Sequence, residues 1–162
     1  MTPVDLLLSF LDQAYDRRSW HGTNLRGSLR GLSAGHAVWR PGPDRHNIQE
    51  IAVHAAYWKY AVHRRLTGER RGSFPLEGSN WFVRDTADPK RWRADLELLT
   101  SAHTRLRQAV AALSSRQLDA RLRGGTVTPL ELVSGVAAHD LYHAGQVQVL
   151  KRLMPAAVRR RG

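Results

Sequence analysis

The sequence predicts an all-α fold, a four-helix bundle with long connections and with strands absent or minimal. Three observations predict it. Four long segments carry apolar residues at alternating three- and four-residue steps, the spacing of one helix face. No segment alternates apolar and polar residues as a half-buried strand does. Each helical stripe needs neighbours to cover it, and four stripes facing one another make a bundle. The chain has 162 residues, 42% hydrophobic and 24% charged, enough for one core and short for two. Residues 1–162 are therefore expected to form a single domain, with 158–162 as a frayed tail.

The first helix is expected from about Pro3 to Arg18. Thr2 caps it, Pro3 suits the first helical position, and Val4, Leu7, Leu8, Leu11, Ala14 and Tyr15 form its stripe. The connection GTNLRGSLRGL has room for a turn or two of helix around Leu25–Leu32. The second helix starts after the turn-rich RPGPDRHN, where Asn47 and Glu50 have capping-box spacing, and ends at Gly68. Its inward positions are Ile51, His54 or Ala55, Trp58, Val62 and Leu66. Residues 68–87 form a long loop, a feature that is uncommon without a function, and Trp81 and Phe82 are expected to pack part of it back on the body. The third helix runs from Pro89 to Leu113 with Asp88 as cap. The fourth begins at Pro129 with Thr128 as cap and stops before Pro155. The two long connections leave room for a crossover in place of simple up-down-up-down order.

Composition narrows the function. There are no cysteines, which excludes disulfides, thiolate metal ligands and a cysteine nucleophile. No apolar run is long enough to span a membrane and no signal-peptide pattern opens the chain, so a cytoplasmic protein with no membrane partner is expected. The formal charge is +11, and of the 25 basic residues only Lys59, Lys90 and Lys151 are lysine. Such a charge is compatible with a nucleic-acid partner, but the arginines are scattered, with small clusters only at Arg64–Arg65, Arg70–Arg71 and Arg159–Arg161, and no nucleic-acid motif accompanies them. That reading is not favoured.

The chemistry lies in GVAAHDLYHAGQVQVLKRL, residues 135–153. Leu132, Val136, His139, His143, Val147, Leu150 and Met154 form the inward edge of the fourth helix, so His139 and His143 stack one turn apart facing the core. Two imidazoles so spaced converge on one cation. A bare HxxxH match is weak in a chain of 8 histidines. The second helix sharpens it, because His54 lies on or beside its buried face. Three buried imidazoles without partners are costly, and one divalent cation taking a lone pair from each removes the cost. Three neutral ligands leave a coordination position open, the arrangement of catalytic rather than structural zinc. Zinc, nickel and iron all accept imidazole.

The stretches RHNIQEIAVHAAYWKYAVHRRL (45–66), NWF (80–82) and AAHDLYHAGQVQVLKRL (137–153) resemble the DinB/YfiT-like metalloenzymes of the DinB superfamily. The resemblance implies a four-helix bundle, commonly a homodimer, with one metal-binding histidine from the second helix and two from the fourth. Those positions are His54, His139 and His143. It also implies two chemistries for a small-molecule substrate: transfer or isomerisation dependent on a low-molecular-weight thiol, or metal-assisted hydrolysis. The alternative is a non-enzymatic stress-response or nucleic-acid-binding protein with a structural metal.

Further candidates surround this set. Asp140 sits about 100° round the helix from His139 and cannot be a co-facial ligand. It either bonds a neighbouring helix or accepts from an imidazole N–H. Gln146, one turn beyond His143, could contact a metal-bound water or serve the bundle edge. His103 on the third helix is an alternative ligand or general base. His63 lies about 13 Å along the axis from His54 and cannot share the ion. His46 and Arg45 flank the expected mouth of the site, and Gly135 and Gly145 are expected to permit close helix approach. There is no GxSxG elbow, and no glutamate precedes a histidine by three, which excludes a di-iron bundle of the Glu-x-x-His type.

Overall fold

A computed structural model describes residues 1–122 and 124–160, and among these it contains helices and no strand. The helices are α1 (Pro3–Tyr15), α2 (Leu25–Leu29), α3 (Ala34–Ala37), α4 (Ile48–Thr67), α5 (Pro89–Ala111), α6 (Ser115–Leu118), α7 (Pro129–Leu153) and α8 (Ala156–Arg159). The four long ones begin where the caps dictate. Thr2, Asn47 and Thr128 each accept from the backbone N–H three residues on, and Asp5, Glu50 and Glu131 return the bond to the cap. Asp88 caps α5 ahead of Pro89. Gly68 closes α4 in the left-handed conformation, φ 75°, which a side chain would strain. The first helix is shorter than expected, ending at Tyr15 with Asp16 as its C-cap. Of the segment expected to fray, Val158 and Arg159 lie in α8, while 161–162 fall outside the described residues.

The long helices form a ring in which α4 packs on α5 and α7, and α1 packs on the same two. Directions follow from side-chain partners. Gln49 bonds Asp95 near the starts of α4 and α5, and Glu69, just past α4, meets Arg105 near the end of α5, so these two helices run parallel. His54 faces His139 and His143, while Val62 lies by Val136, so α4 and α7 are antiparallel. A parallel α4–α5 pair requires the 68–88 connection to return along the bundle, and it does. Phe74 packs on Tyr57 and Tyr60, Trp81 on His54, and the backbone N–H of Arg84 donates to Glu50 at the start of α4. The long loop is a strap laid along α4.

Two apolar clusters fill the interior. One holds Ile51, Ala55, Leu99, Ala144 and Val147, and the other Leu7, Val62, Leu106, Val133 and Val136. Between them lies a polar layer of Lys59, His103 and Asp140, against which Tyr15 of the first cluster packs, so that every long helix meets there. Lys59 and Asp140 are paired and fully buried. Lys59 Nζ lies 5.0 Å from the centre of the Tyr15 ring, and His103 stacks on that ring at 3.8 Å. α4 is buried on nearly every side, and this corrects the single inward stripe expected for it. Lys59 is inside, whereas Trp58, expected inside, is 39% exposed. Gly135 and Gly145 are corrected too: the space a Cβ would take is open at both, so neither permits a close approach within the chain.

Candidate metal centre

His54 on α4 and His139 and His143 on α7 come together where the antiparallel helices pass. The Nε2 atoms of His54 and His143 each lie 3.0 Å from Nε2 of His139. The outer nitrogens settle the tautomers of two rings. His54 Nδ1 donates to the carbonyl oxygen of Asn80 at 2.8 Å, and His143 Nδ1 donates to Oε1 of Gln146 at 2.6 Å. Carbonyl oxygens only accept, so both rings carry their proton outside and turn a bare Nε2 inward. Only His139 has a proton to offer within the triangle, and one N–H cannot point at two acceptors. A cation fits the donor set better. Imidazole nitrogens held by one divalent ion at 2.0–2.1 Å stand about 2.9 to 3.4 Å apart, from right-angled to tetrahedral coordination. His139 then carries its proton on Nδ1, a buried atom without a partner.

Electrostatics favour the ligating form. Burial pushes His139 down to about 3, helped by the neighbouring rings of His143 and His54. Burial likewise lowers His143 to about 4 against the opposing bond to Gln146, and it lowers His54. All three are neutral at pH 7, as metal ligation requires.

Asn80 is the described non-glycine residue with positive φ, 65°, a conformation asparagine tolerates better than most. That twist aims its carbonyl at His54, while its side-chain oxygen accepts from Trp58 Nε1 at 3.0 Å. Trp81 stacks on His54 at 3.8 Å on one face and on His46 at 3.5 Å on the other. The strap is anchored beside them by Glu50. Burial would raise this carboxyl, but Arg40, His46 and the N–H groups of Arg84 and Asn47 hold it at about 2. The triad opens on a cavity of about 1030 Å³ walled by Ile51, Trp58, Trp81, Val149 and Leu150, with Arg45 at its rim.

Residues 17–147 match the DinB superfamily. The chain belongs to the DinB superfamily. A solved structure described as the conserved protein of locus from Enterococcus faecalis has the same fold, with a TM-score of 0.69 at 16% identity, covering 94% of this chain and 97% of that one. None of the curated proteins matches the sequence.

The DinB fold brings some of the sequence candidates to the triad and keeps others away. Gln146 is there, bonded to His143 and donating from Nε2 to the Tyr142 hydroxyl at 3.1 Å. His46 and Arg45 line the mouth. Asp140 points to a different side of α7, about 100° round from His139, and bonds a neighbouring helix through Lys59. His103 packs on Tyr15 with Nε2 3.9 Å from Asp12, away from the cavity. His63 is buried beside Glu69, and its Nδ1 lies 3.8 Å from that carboxylate. Sequence reasoning missed the Asn80 carbonyl as a partner of His54. A backbone atom leaves no residue-type signal, and only the asparagine beside Trp81 in an otherwise unexplained loop hinted at it.

Proposed function

We propose that this DinB-superfamily protein binds one divalent metal ion through Nε2 of His54, His139 and His143 and acts as an enzyme on a small molecule held in the adjoining cavity. One observation carries the reading: three neutral imidazoles converge at the edge of an open cavity with no fourth protein ligand among the described residues. A structural metal is normally closed by four protein ligands. When bound, the ion supplies Lewis acidity and a position for an activated water, thiolate or substrate oxygen. Asn80 and Gln146 hold the rings in the ligating tautomer. Trp81 and Trp58 screen the site from solvent, and the apolar wall takes the body of the ligand. Transfer or isomerisation with a low-molecular-weight thiol and metal-assisted hydrolysis both suit this arrangement. Zinc, nickel and iron all suit its ligands. A cytoplasmic homodimer completes the reading, with sedimentation as its check. No described helix is long and apolar enough to cross a membrane.

The test is metal analysis of protein purified without a histidine tag. Wild type is expected to carry close to one ion per chain and His143→Ala close to none. Stoichiometry near zero in wild type, or unchanged metal in the variant, contradicts the proposal.

A further inference from the structure

The most costly feature of the interior has no part in the site as described. Lys59 and Asp140 are both 0% exposed and paired with each other, in the layer that separates the two apolar clusters. Exchanging a buried ion pair for apolar residues of similar size is often neutral or stabilising, so such a pair is poorly explained by stability alone. Its best-attested use is to fix register.

Its position supplies the reason. On α4 Lys59 follows His54 by five residues, about 140° round the helix. On α7 Asp140 follows His139 by one residue, about 100° round. The same two helices are thus joined on two sides: by the histidines toward the cavity, and by the ion pair toward Tyr15 of α1 and His103 of α5. A contact on one side leaves each helix free to roll about it, and a second contact on another side removes that freedom. Apolar neighbours such as Val62 and Val136 hold α4 and α7 together but tolerate small slides, because dispersion is non-directional. A slip of one residue moves a ligand by about 1.5 Å and turns it by about 100°, which separates nitrogens now 3.0 Å apart.

We propose that Lys59 and Asp140 are positioning residues for the metal centre, setting the axial and rotational register of α4 against α7 at which the three Nε2 atoms meet. The proposal rests on the metal-binding reading above, and the experiment separates the two. Metal-free protein is titrated with Co²⁺, following affinity and the visible ligand-field spectrum alongside thermal stability. Wild type should take up one ion. If it takes up none, the metal reading fails, and this proposal with it.

If wild type binds, Lys59→Met with Asp140→Leu should fold with a Tm no lower than wild type, yet bind Co²⁺ about tenfold or more weakly with a shifted spectrum. Lys59→Gln with Asp140→Gln keeps the summed side-chain length and a directional hydrogen bond, and should restore both affinity and spectrum. Wild-type affinity and spectrum in the apolar pair overturn the proposal, as does a glutamine pair no better than the apolar one. Should the apolar pair not fold, Asp140→Asn replaces it, since it keeps the shape and weakens the acceptor. A folded Asp140→Asn with wild-type Co²⁺ binding overturns the proposal, and weakened binding with an altered spectrum sustains it.

Discussion

Gln146 shows how much of a candidate metal site lies outside its proposed ligands. Its Oε1 accepts from His143 Nδ1 and so keeps the bare Nε2 turned toward the other two rings. Gln146→Leu leaves all three histidines in place but frees that ring to rotate and change tautomer. Metal affinity should fall by about 10- to 100-fold with little change in Tm, measured by competition with a chelator. His103 makes the opposite case, a histidine that serves the core. Burial pushes it down to about 3, reinforced by the positive charges of Lys59, Arg107 and Arg26, and the nearby Asp12 is already taken by Arg107. The unfolded chain binds a proton near pH 6.5 that the folded chain refuses, so stability is fully present above that pH and falls as pH drops toward 3. Between pH 7 and 5 this group alone should cost roughly 2 kcal/mol. Metal-free His103→Leu should lose that much less than wild type over the same interval in urea melts, and parallel curves for the two proteins would refute the assignment. At this scale the triad was legible because histidine on an apolar edge is conspicuous. The partners of its outer nitrogens were less so, since one is a backbone carbonyl and the other an ordinary glutamine.

Helix starts could be read because caps are local chemistry, and Asn47–Glu50 and Thr128–Glu131 stand where their spacing says. The faces of α4 could not. Periodicity assumes one buried side, but α4 touches α5, α7, α3 and the strap, so nearly every position is covered and burial no longer follows one face. Gly135 and Gly145 misled for a related reason, since a glycine in a helix suggests a neighbouring backbone that is not there. The strap is the connection that reaches the site. Its 79–84 stretch is pinned by Asn80 on His54, Trp81 between two imidazoles and Arg84 on Glu50 and Asp95, whereas residues 69–73 lie largely on the surface. Fixing His54 on a metal should therefore slow amide exchange through 79–84 and leave 69–73 unchanged, as followed by peptide-resolved hydrogen exchange. Uniform protection, or none, would mean that the strap does not sense the site.

Over the whole molecule the sequence allowed a crossover without saying where it lay, because helix direction depends on which loop runs the length of the bundle. The parallel α4–α5 pair places it at the strap, so one connection both sets the topology and closes the site. Charge poses the remaining question at this scale. Arg40, Arg84, Arg105, Arg107 and Arg26 are paired with Glu50, Asp95, Glu69, Asp12 and Asp16. The surplus behind the +11 includes Arg17, Arg30, Arg64, Arg91, Arg116 and Arg152, which lie on separate helices and connections, with small clusters at Arg64–Arg65 and Arg70–Arg71. A scattered field attracts polyanions without register, so any binding to duplex DNA should be non-specific and dominated by counterion release. Anisotropy titrations of a labelled duplex should show weak association at 50 mM salt that falls by orders of magnitude by about 200 mM, unaffected by metal loading. Tight binding that survives the higher salt, or that appears only with metal bound, would shift the function from the cavity to the surface and count against an enzyme.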